Sequence, residues 1–458
     1  MMILYSTHTS PTYMPPLVLS KRQIVVGPNY PTRSEDGRIQ SLKIPHGRYD
    51  MAALISSLPA NHRPELIVVL ADSYQQCVPE NLAAVPCRRI LLVADTHHGQ
   101  NPLQKMLAYA RQEPFDQIVL IHDPHHLHWF TEAGIAPTVY IPNPNVHHFP
   151  RPFNKLRQPA IAFVGSAGSS RRRYLLQTIE KAGLPLVYRQ IPAPDAAAIY
   201  NAAQITFNCS LNADLNMRVF EVMAAGGFLI TDRLSPQAGL DTMFRRGKDY
   251  VDYDGPDDLI AKLKYYLDRP KECLKIARSG QAAYLERHTP AQRVRELLNA
   301  AAGDATSYST DRRAAPGIDG FGENLDERVL LYEVMQTFAQ QAEQISVAVD
   351  PALGARCIAD LVDLPRLKIS VVGGIEQSGL KDSLVSLGVF HQVSLDHGEP
   401  DPCDVMVLDG QTVADLTDAQ RLRTRFLLTR DLTADKASCL AACGFIKVGE
   451  RPMLFERR

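Results

Sequence analysis

Apolar and polar residues along this chain fall into two interleaved rhythms. Short, nearly continuous apolar runs alternate with stretches whose apolar residues recur every three or four positions, through roughly the first 300 residues. Such alternation predicts parallel α/β layers, because strands covered by helices on both faces carry no polar side. In the first third, strands are expected near Met2–Tyr5, Gln23–Val26, Leu66–Leu70, Ile90–Ala94, Gln117–Ile121 and Thr138–Ile141. Helices are expected at Asp50–Ser57, Leu103–Gln112 and His125–Ala133. The proline- and asparagine-rich segment Ile141–Phe153 interrupts the rhythm, which then resumes to about Leu298. Residues 303–324, GDATSYSTDRRAAPGIDGFGEN, are polar, hold four glycines and show no hydrophobic period, so they read as a linker. Beyond them a helix is predicted over Leu325–Val347, from the spacing of Val329, Leu330, Tyr332, Val334, Met335 and Phe338. Strands recur near Lys368–Val372, His391–Leu395, Val405–Leu408, Phe426–Thr429, Phe445–Val448 and Met453–Glu456. The predicted organisation is an N-terminal lobe over 1–150, a second lobe over 151–302, the linker, and a C-terminal α/β domain over 325–458.

A chain of 458 residues exceeds one core, and its length suits about three domains at ~100–200 residues each. Formal net charge is -1, so no global field favours nucleic acid or an anionic membrane, and phosphate binding must come from a local cluster. No apolar run reaches the roughly 18 residues of a membrane span, and the first basic residue, Lys21, comes late for a signal peptide. A cytoplasmic protein is the expectation. The eight cysteines are scattered, without the paired spacing of a zinc site or a disulfide framework.

Within the second lobe, Asn216–Arg233, NMRVFEVMAAGGFLITDR, isolates one carboxylate in an apolar helix. Val219, Phe220, Val222 and Met223 flank Glu221, and a carboxylate in apolar surroundings is costly unless something hydrogen-bonds it. A bound ribose would supply that partner. Gly226 and Gly227 end the helix and admit a close neighbour, and Phe228–Thr231 read as the next buried strand. Arg218, three residues before Glu221, suits either a local ion pair worth ~0.2–0.5 kcal/mol or contact with a diphosphate. Asp214 and Asn216 suit either helix capping or ligand binding.

Upstream, FVGSAGSSRRR from Phe163 to Arg173 has the composition of an anion site. Gly165 and Gly168 permit a tight turn after a strand, Ser166, Ser169 and Ser170 offer hydroxyls, and Arg171, Arg172 and Arg173 start a helix. Three arginines at a helix start oppose the macrodipole, which is unfavourable unless an anion sits there. The alternative is a solvated loop with ordinary charges.

These two segments, with GLDTMFRRGKDYVDYDGPDDLIAKLKYYLDRP and GQAAYLERHTPAQRVRELL after them, resemble in order and spacing the nucleotide-sugar half of GT-B glycosyltransferases. The specific resemblance is to the CgeB-like (spore maturation protein) branch of the family 1/4-type enzymes, and it covers roughly residues 85 to 300. It implies two Rossmann-like lobes about a cleft, the acceptor on the first and a nucleoside-diphosphate sugar on the second. The implied reaction is glycosyl transfer to an acceptor hydroxyl, with retention of configuration favoured. It further implies that Glu221 holds the donor ribose, and that Gly165, Ser166, Arg171, Arg172, Arg173, Asp214, Asn216 and Arg218 surround the donor. No metal or separate cofactor is needed if the arginines and backbone carry the diphosphate charge. One position departs from the pattern: the retaining relatives' earlier glutamate, eight residues before the second, is Ala213 here, with Asp214 one residue off. Ala213 favours the rival reading, a non-catalytic nucleotide- or glycan-binding scaffold whose C-terminal domain docks a partner.

Eight of the fourteen histidines lie between His97 and His148. In HDPHHLHWF, His122 and His126, or His125 and His128, stand one turn apart, but no carboxylate or cysteine recurs at ligand spacing, and no metal is expected. In LLVADTHHG, Asp95, His97 and His98 follow a buried strand at the edge where open α/β sheets bind ligands. The resemblance sets a histidine-aspartate loop facing the cleft there. These three are therefore the catalytic candidates, a histidine orienting the sugar or taking the acceptor's proton, although two histidines at a strand end also suit capping. Thr289 before Pro290 reads as an N-cap, His288 as structural, and Trp129 and Phe130 as packing. The ending AACGFIKVGERPMLFERR resembles the last hairpin of class I methyltransferase folds. The loop VVGGIEQSG after the first predicted strand of that domain lacks the acidic and glycine pattern that cradles S-adenosylmethionine. A degenerate methyltransferase-like domain without cofactor is expected.

Overall fold

The computed structural model describes residues 1–11, 16–142, 149–318, 320–341, 344–364, 367–371, 378–395, 403–409, 426–430, 445–447 and 454–457. The middle of the expected interlobe crossover, with His147 and His148, and most of VVGGIEQSG lie outside the described residues. The chain divides into two compact units, Met1–Asp311 and Arg312–Arg458.

In the first unit the strands form where the chain has no polar face to offer. Leu66–Asp72 is buried along its whole length and pairs in parallel with Ile3–Ser6 on one side and Arg88–Asp95 on the other. Gln117–Leu120 and Thr138–Tyr140 extend the sheet past Arg88–Asp95, while Gln23–Gly27, Arg38–Lys43 and Arg33–Glu35 extend it past Ile3–Ser6. All six predicted strands are present. The edge hairpin Arg33–Lys43 was not legible in the hydrophobic pattern because its strands are largely exposed. Its Asp36–Gly37 turn, both residues at positive φ, is nevertheless the dipeptide that hairpins favour.

The second lobe holds five parallel strands in the order Leu186–Arg189, Gln158–Val164, Ala203–Phe207, Leu229–Asp232 and Val251–Tyr253. They enclose their own core, which includes Ile161, Phe163, Ile205, Phe207 and Ile230. Leu297, Ala300 and Ala301 of the helix Pro290–Ala302 pack instead into the first lobe's core beside Val68 and Leu92. The chain thus returns to the first lobe after completing the second, and a cleft is lined by residues of both lobes. Thr289 starts the returning helix with a capping box to Gln292, and Trp129 and Phe130 are buried in the first lobe, both as expected.

The second unit contains a seven-stranded sheet ordered Val393–Leu395, Leu367–Val371, Ile345–Val349, Val405–Asp409, Phe426–Arg430, Leu454–Arg457 and Phe445–Lys447. Only Leu454–Arg457 runs antiparallel to its neighbours. The predicted helix Leu325–Val347 ends at Gln341, and Ile345–Val349 is an interior strand of the sheet, between Leu367–Val371 and Val405–Asp409. A short apolar run placed directly after a helix continues its spacing, and periodicity alone does not separate the two. The loop after the first strand is therefore Asp350–Gly354, whereas VVGGIEQSG follows the second.

The polar segment 303–324 contains the unit boundary and is anchored within each unit. In the first, the Tyr308 N–H donates to the Tyr140 carbonyl (3.0 Å), and the Tyr140 N–H donates to Ser307 Oγ (3.1 Å). In the second, the fully buried Arg313 pairs with Asp363 and donates to the Ala359 carbonyl (2.8 Å). Removing one partner of a buried pair strands the other's charge. Arg313→Ala is expected to destabilise the second unit by about 3–5 kcal/mol, measured by denaturant unfolding, with Asp363→Ala added in a double variant recovering part of the loss.

Candidate active site

Asn216 precedes the helix Met217–Ala224, which gives way to Gly226 at φ 75°. At Gly227 a Cβ would stand 2.8 Å from Val222 Cγ1 and 3.0 Å from the Tyr200 carbonyl oxygen. The glycine pair therefore reverses the chain and admits a neighbouring backbone, as its sequence suggests. Val219, Phe220, Val222 and Met223 are buried, while Glu221 lines a cleft of about 560 Å³, a common size for a ligand pocket. The Glu221 carboxyl makes no hydrogen bond to the described residues. Burial pushes it up to about 6, with Arg218 offsetting part of the rise.

Gly165 leaves the strand Gln158–Val164 at φ 140°, and any side chain there would collide with Arg218 Nη2. Glycine is what lets the guanidinium cross the loop. Arg218 Nε donates to the Val164 carbonyl (2.8 Å), Nη1 donates to Asn208 Oδ1 (2.6 Å), and the group lies 4.5 Å from the Phe163 ring centre. The local ion pair with Glu221 is not formed among the described residues. Asn208 escaped the sequence reading, although a polar residue at the carboxyl end of a parallel strand is the signal that marks it. It also accepts from Asn216 Nδ2 (3.4 Å) and donates to Thr231 Oγ1 (2.9 Å). Asn216 lines the cleft and its side chain does not cap the helix.

The three arginines at the helix Ser170–Lys181 separate in space. Arg172 lines the cleft, donating to the Cys209 carbonyl through Nε (3.0 Å) and Nη2 (2.9 Å) and to the Ser166 carbonyl through Nη1 (3.1 Å). Arg171 pairs with Asp232 (3.4 Å), and Arg173 donates to the Gly168 carbonyl (2.6 Å), neither forming part of the cleft wall. Carbonyls and Asp232 thus compensate much of the charge that seemed to require an anion. Gly165, Ser166, Gly168 and Ser169 face the cleft, and Ser169 caps the helix by accepting from the Arg172 N–H (3.2 Å). Ala213 adopts a left-handed backbone (φ 58°), which costs roughly 1–2 kcal/mol. Beside it, Asp214 Oδ1 accepts from the Leu211 (3.1 Å) and Asn212 (3.2 Å) amides while the residue lines the cleft.

Asp95, His97 and His98 meet this lobe from the other side of the cleft. Asp95 Oδ1 accepts the amides of His97 (2.8 Å) and His98 (3.1 Å), so the capping role is present. Its Oδ2 lies 2.6 Å from His98 Nδ1, which orients a ring that is 40 % exposed. His97 is buried between Asp123 (3.1 Å) and Asp95 (3.8 Å). Burial opposes charge on His97, but the two carboxylates outweigh it and raise the imidazole to about 10. Burial likewise opposes ionisation of Asp95, yet His97 and His98 bring it down to about 2.

Asp123 and Thr96 were not singled out by sequence, because only folding brings them beside His97. The Thr96 hydroxyl donates to Asp123 Oδ2 (2.9 Å) and lies 2.7 Å from His126 Nδ1. Two sets among the described residues have ligand atoms close enough for a cation: Asp95, His97 and His98, and His97, Asp123 and His126.

Residues 163–299 match the family model described as glycosyl transferase-like, so the second lobe is a glycosyl transferase-like domain. No curated protein matches the chain. Among solved structures, sucrose-phosphate synthase from Thermosynechococcus elongatus is similar at 11% identity and TM-score 0.46, covering 66% of this chain and 98% of that one. HepE from Anabaena in complex with UDP-glucose is similar at 12% identity and TM-score 0.46, covering 66% and 100%. A glycosyltransferase from Rickettsia africae is similar at 10% identity and TM-score 0.46, covering 66% and 98%. No helix among the described residues is long and apolar enough to cross a membrane.

Gly165→Ala is expected to expel Arg218 from its place over Phe163 and to lower stability by roughly 1–3 kcal/mol, visible as a fall in melting temperature. Glu221 gives a pH signature. Its folded value near 6 exceeds the ordinary 4.5, so its carboxylate form penalises the native state, and stability is lost as pH rises through that interval. Glu221→Gln should match the wild type at pH 4 and exceed it by up to about 2 kcal/mol at pH 8. Equal stability at both pH values would contradict the burial of this carboxylate.

Proposed function

We propose that this chain transfers a glycosyl group from a nucleoside-diphosphate sugar to an acceptor hydroxyl, as a CgeB-like enzyme acting in the cytoplasm. The observation that carries the proposal is Glu221, a carboxylate set into the cleft wall without a partner among the described residues, beside Arg218 and the glycine loop that opens a helix. A ribose 2′,3′-diol donates two hydrogen bonds to such a group, and loop amides, helix dipole and Arg218 suit the diphosphate. The acceptor oxygen attacks the anomeric carbon, the bond from that carbon to the phosphate oxygen breaks, and the nucleoside diphosphate leaves with the electron pair. With retention, the acceptor's proton passes to the departing phosphate. The Asp95–His98 pair favours a second reading, in which His98 Nε2 takes that proton as general base and configuration inverts.

The strand order of the second unit, with one antiparallel strand next to its edge, supports a methyltransferase-like fold there.

A thermal-shift panel of UDP, GDP, TDP, ADP and S-adenosylmethionine tests the donor assignment. One nucleoside diphosphate at about 100 times its Kd should stabilise the chain by about 2.7 kcal/mol. Glu221→Ala should abolish that shift while the fold persists, and an unchanged shift would remove Glu221 from the site. With a donor in hand, NMR of the product's anomeric proton separates retention from inversion. Intact nucleotide binding with no turnover or donor hydrolysis would leave a binding protein.

A further inference from the structure

We propose that Asp72, His8 and Tyr74 form a subsite for a neutral sugar ring of the acceptor, on the first lobe beside His98; this rests on the transferase reading of the cleft. Asp72 ends the strand Leu66–Asp72 and is the register partner of Asp95 on the neighbouring strand. Its side chain is buried, with Oδ2 3.2 Å from His8 Nε2, while its Oδ1 and His8 Nδ1 have no hydrogen-bond partner among the described residues. A buried carboxylate oxygen left unmatched is costly, and hydroxyl donors would relieve it.

The segment after Asp72 is fastened while one side chain stays out. The Ser73 hydroxyl donates to the His98 carbonyl (2.6 Å), and the Gln75 N–H donates to the Asp72 carbonyl (3.0 Å) with Gln75 at φ 54°. Tyr74, between them, is 56 % exposed, its ring edge packed on Gly99, where a Cβ would lie 3.5 Å from Tyr74 Cε1. A single exposed tyrosine is ordinary. One held on a pinned turn, next to an unmatched buried carboxylate and to His98, is a different arrangement. A pyranose offers hydroxyl donors around its rim and an apolar C–H face, matching carboxylate and aromatic ring together.

The test uses the full chain with maltose, cellobiose, lactose and chitobiose, observed by saturation-transfer NMR, and with the nucleoside diphosphates titrated separately. At least one disaccharide should bind. Tyr74→Ala and Asp72→Asn should weaken it about tenfold while nucleotide affinity stays within about twofold. Tyr74→Trp should keep sugar affinity and report binding by its emission, since the native tryptophan, Trp129, is buried. Undiminished sugar binding in Tyr74→Ala, or no disaccharide bound by a chain that does bind a nucleoside diphosphate, overturns the subsite. Sugar binding that depends on Tyr74 in a chain binding no nucleotide would uphold the subsite and end the donor reading.

Discussion

The guanidinium of Arg218 lying across Gly165 is the contact on which the donor side of the cleft depends. It joins the end of one strand, through the Val164 carbonyl, to the end of the next, through Asn208, and it does so from the helix that carries Glu221. A charge-assisted hydrogen bond on each flank gives this group a single position. Because the loop passes beneath it without a side chain, the positive charge stands at the mouth of the helix Ser170–Lys181, where the macrodipole already favours an anion. Glu221 is left facing the cleft with only a Coulombic link to Arg218, and its raised pKa records the cost of keeping an acceptor available.

Opposite, the first lobe balances its charges internally. His97 between Asp95 and Asp123 is a fixed cation made by two carboxylates, so it suits donating hydrogen bonds and not accepting a proton at neutral pH. His98 shares Asp95 but keeps its outer face exposed. Adjacent residues of one type therefore differ in their burial and in the carboxylates that face them. The strand register extends this pattern, because Asp72, Asp95 and Asp123 all sit at or just past the carboxyl ends of parallel strands, the edge at which open sheets bind ligands.

The α/β rhythm was legible wherever strands are buried on both faces, and it failed where that condition fails. Arg33–Glu35 and Arg38–Lys43 are largely exposed and have no apolar signature, so only the Asp36–Gly37 turn announces them. Ile345–Val349 is apolar but abuts a helix, and the two periods merge. At the site, a glutamate among apolar residues and a glycine loop were visible as local oddities. The separate fates of Arg171, Arg172 and Arg173 were not, since three successive helical residues point some 100° apart, and neighbours distant in sequence decide which of them meets the cleft.

What the sequence determined by itself was local: layered α/β segments, a glycine-broken apolar helix carrying one carboxylate, and histidines at a strand's end. These follow from burial, backbone freedom and periodicity, which act over a few residues. Tertiary structure decided which side chains share a charge. His97 becomes a cation beside Asp123 and Asn208 a clamp between Arg218 and Thr231 because folding sets the ends of parallel strands and the segments that follow them side by side, and electrostatic interactions depend on distance in space and on burial, not on separation along the chain.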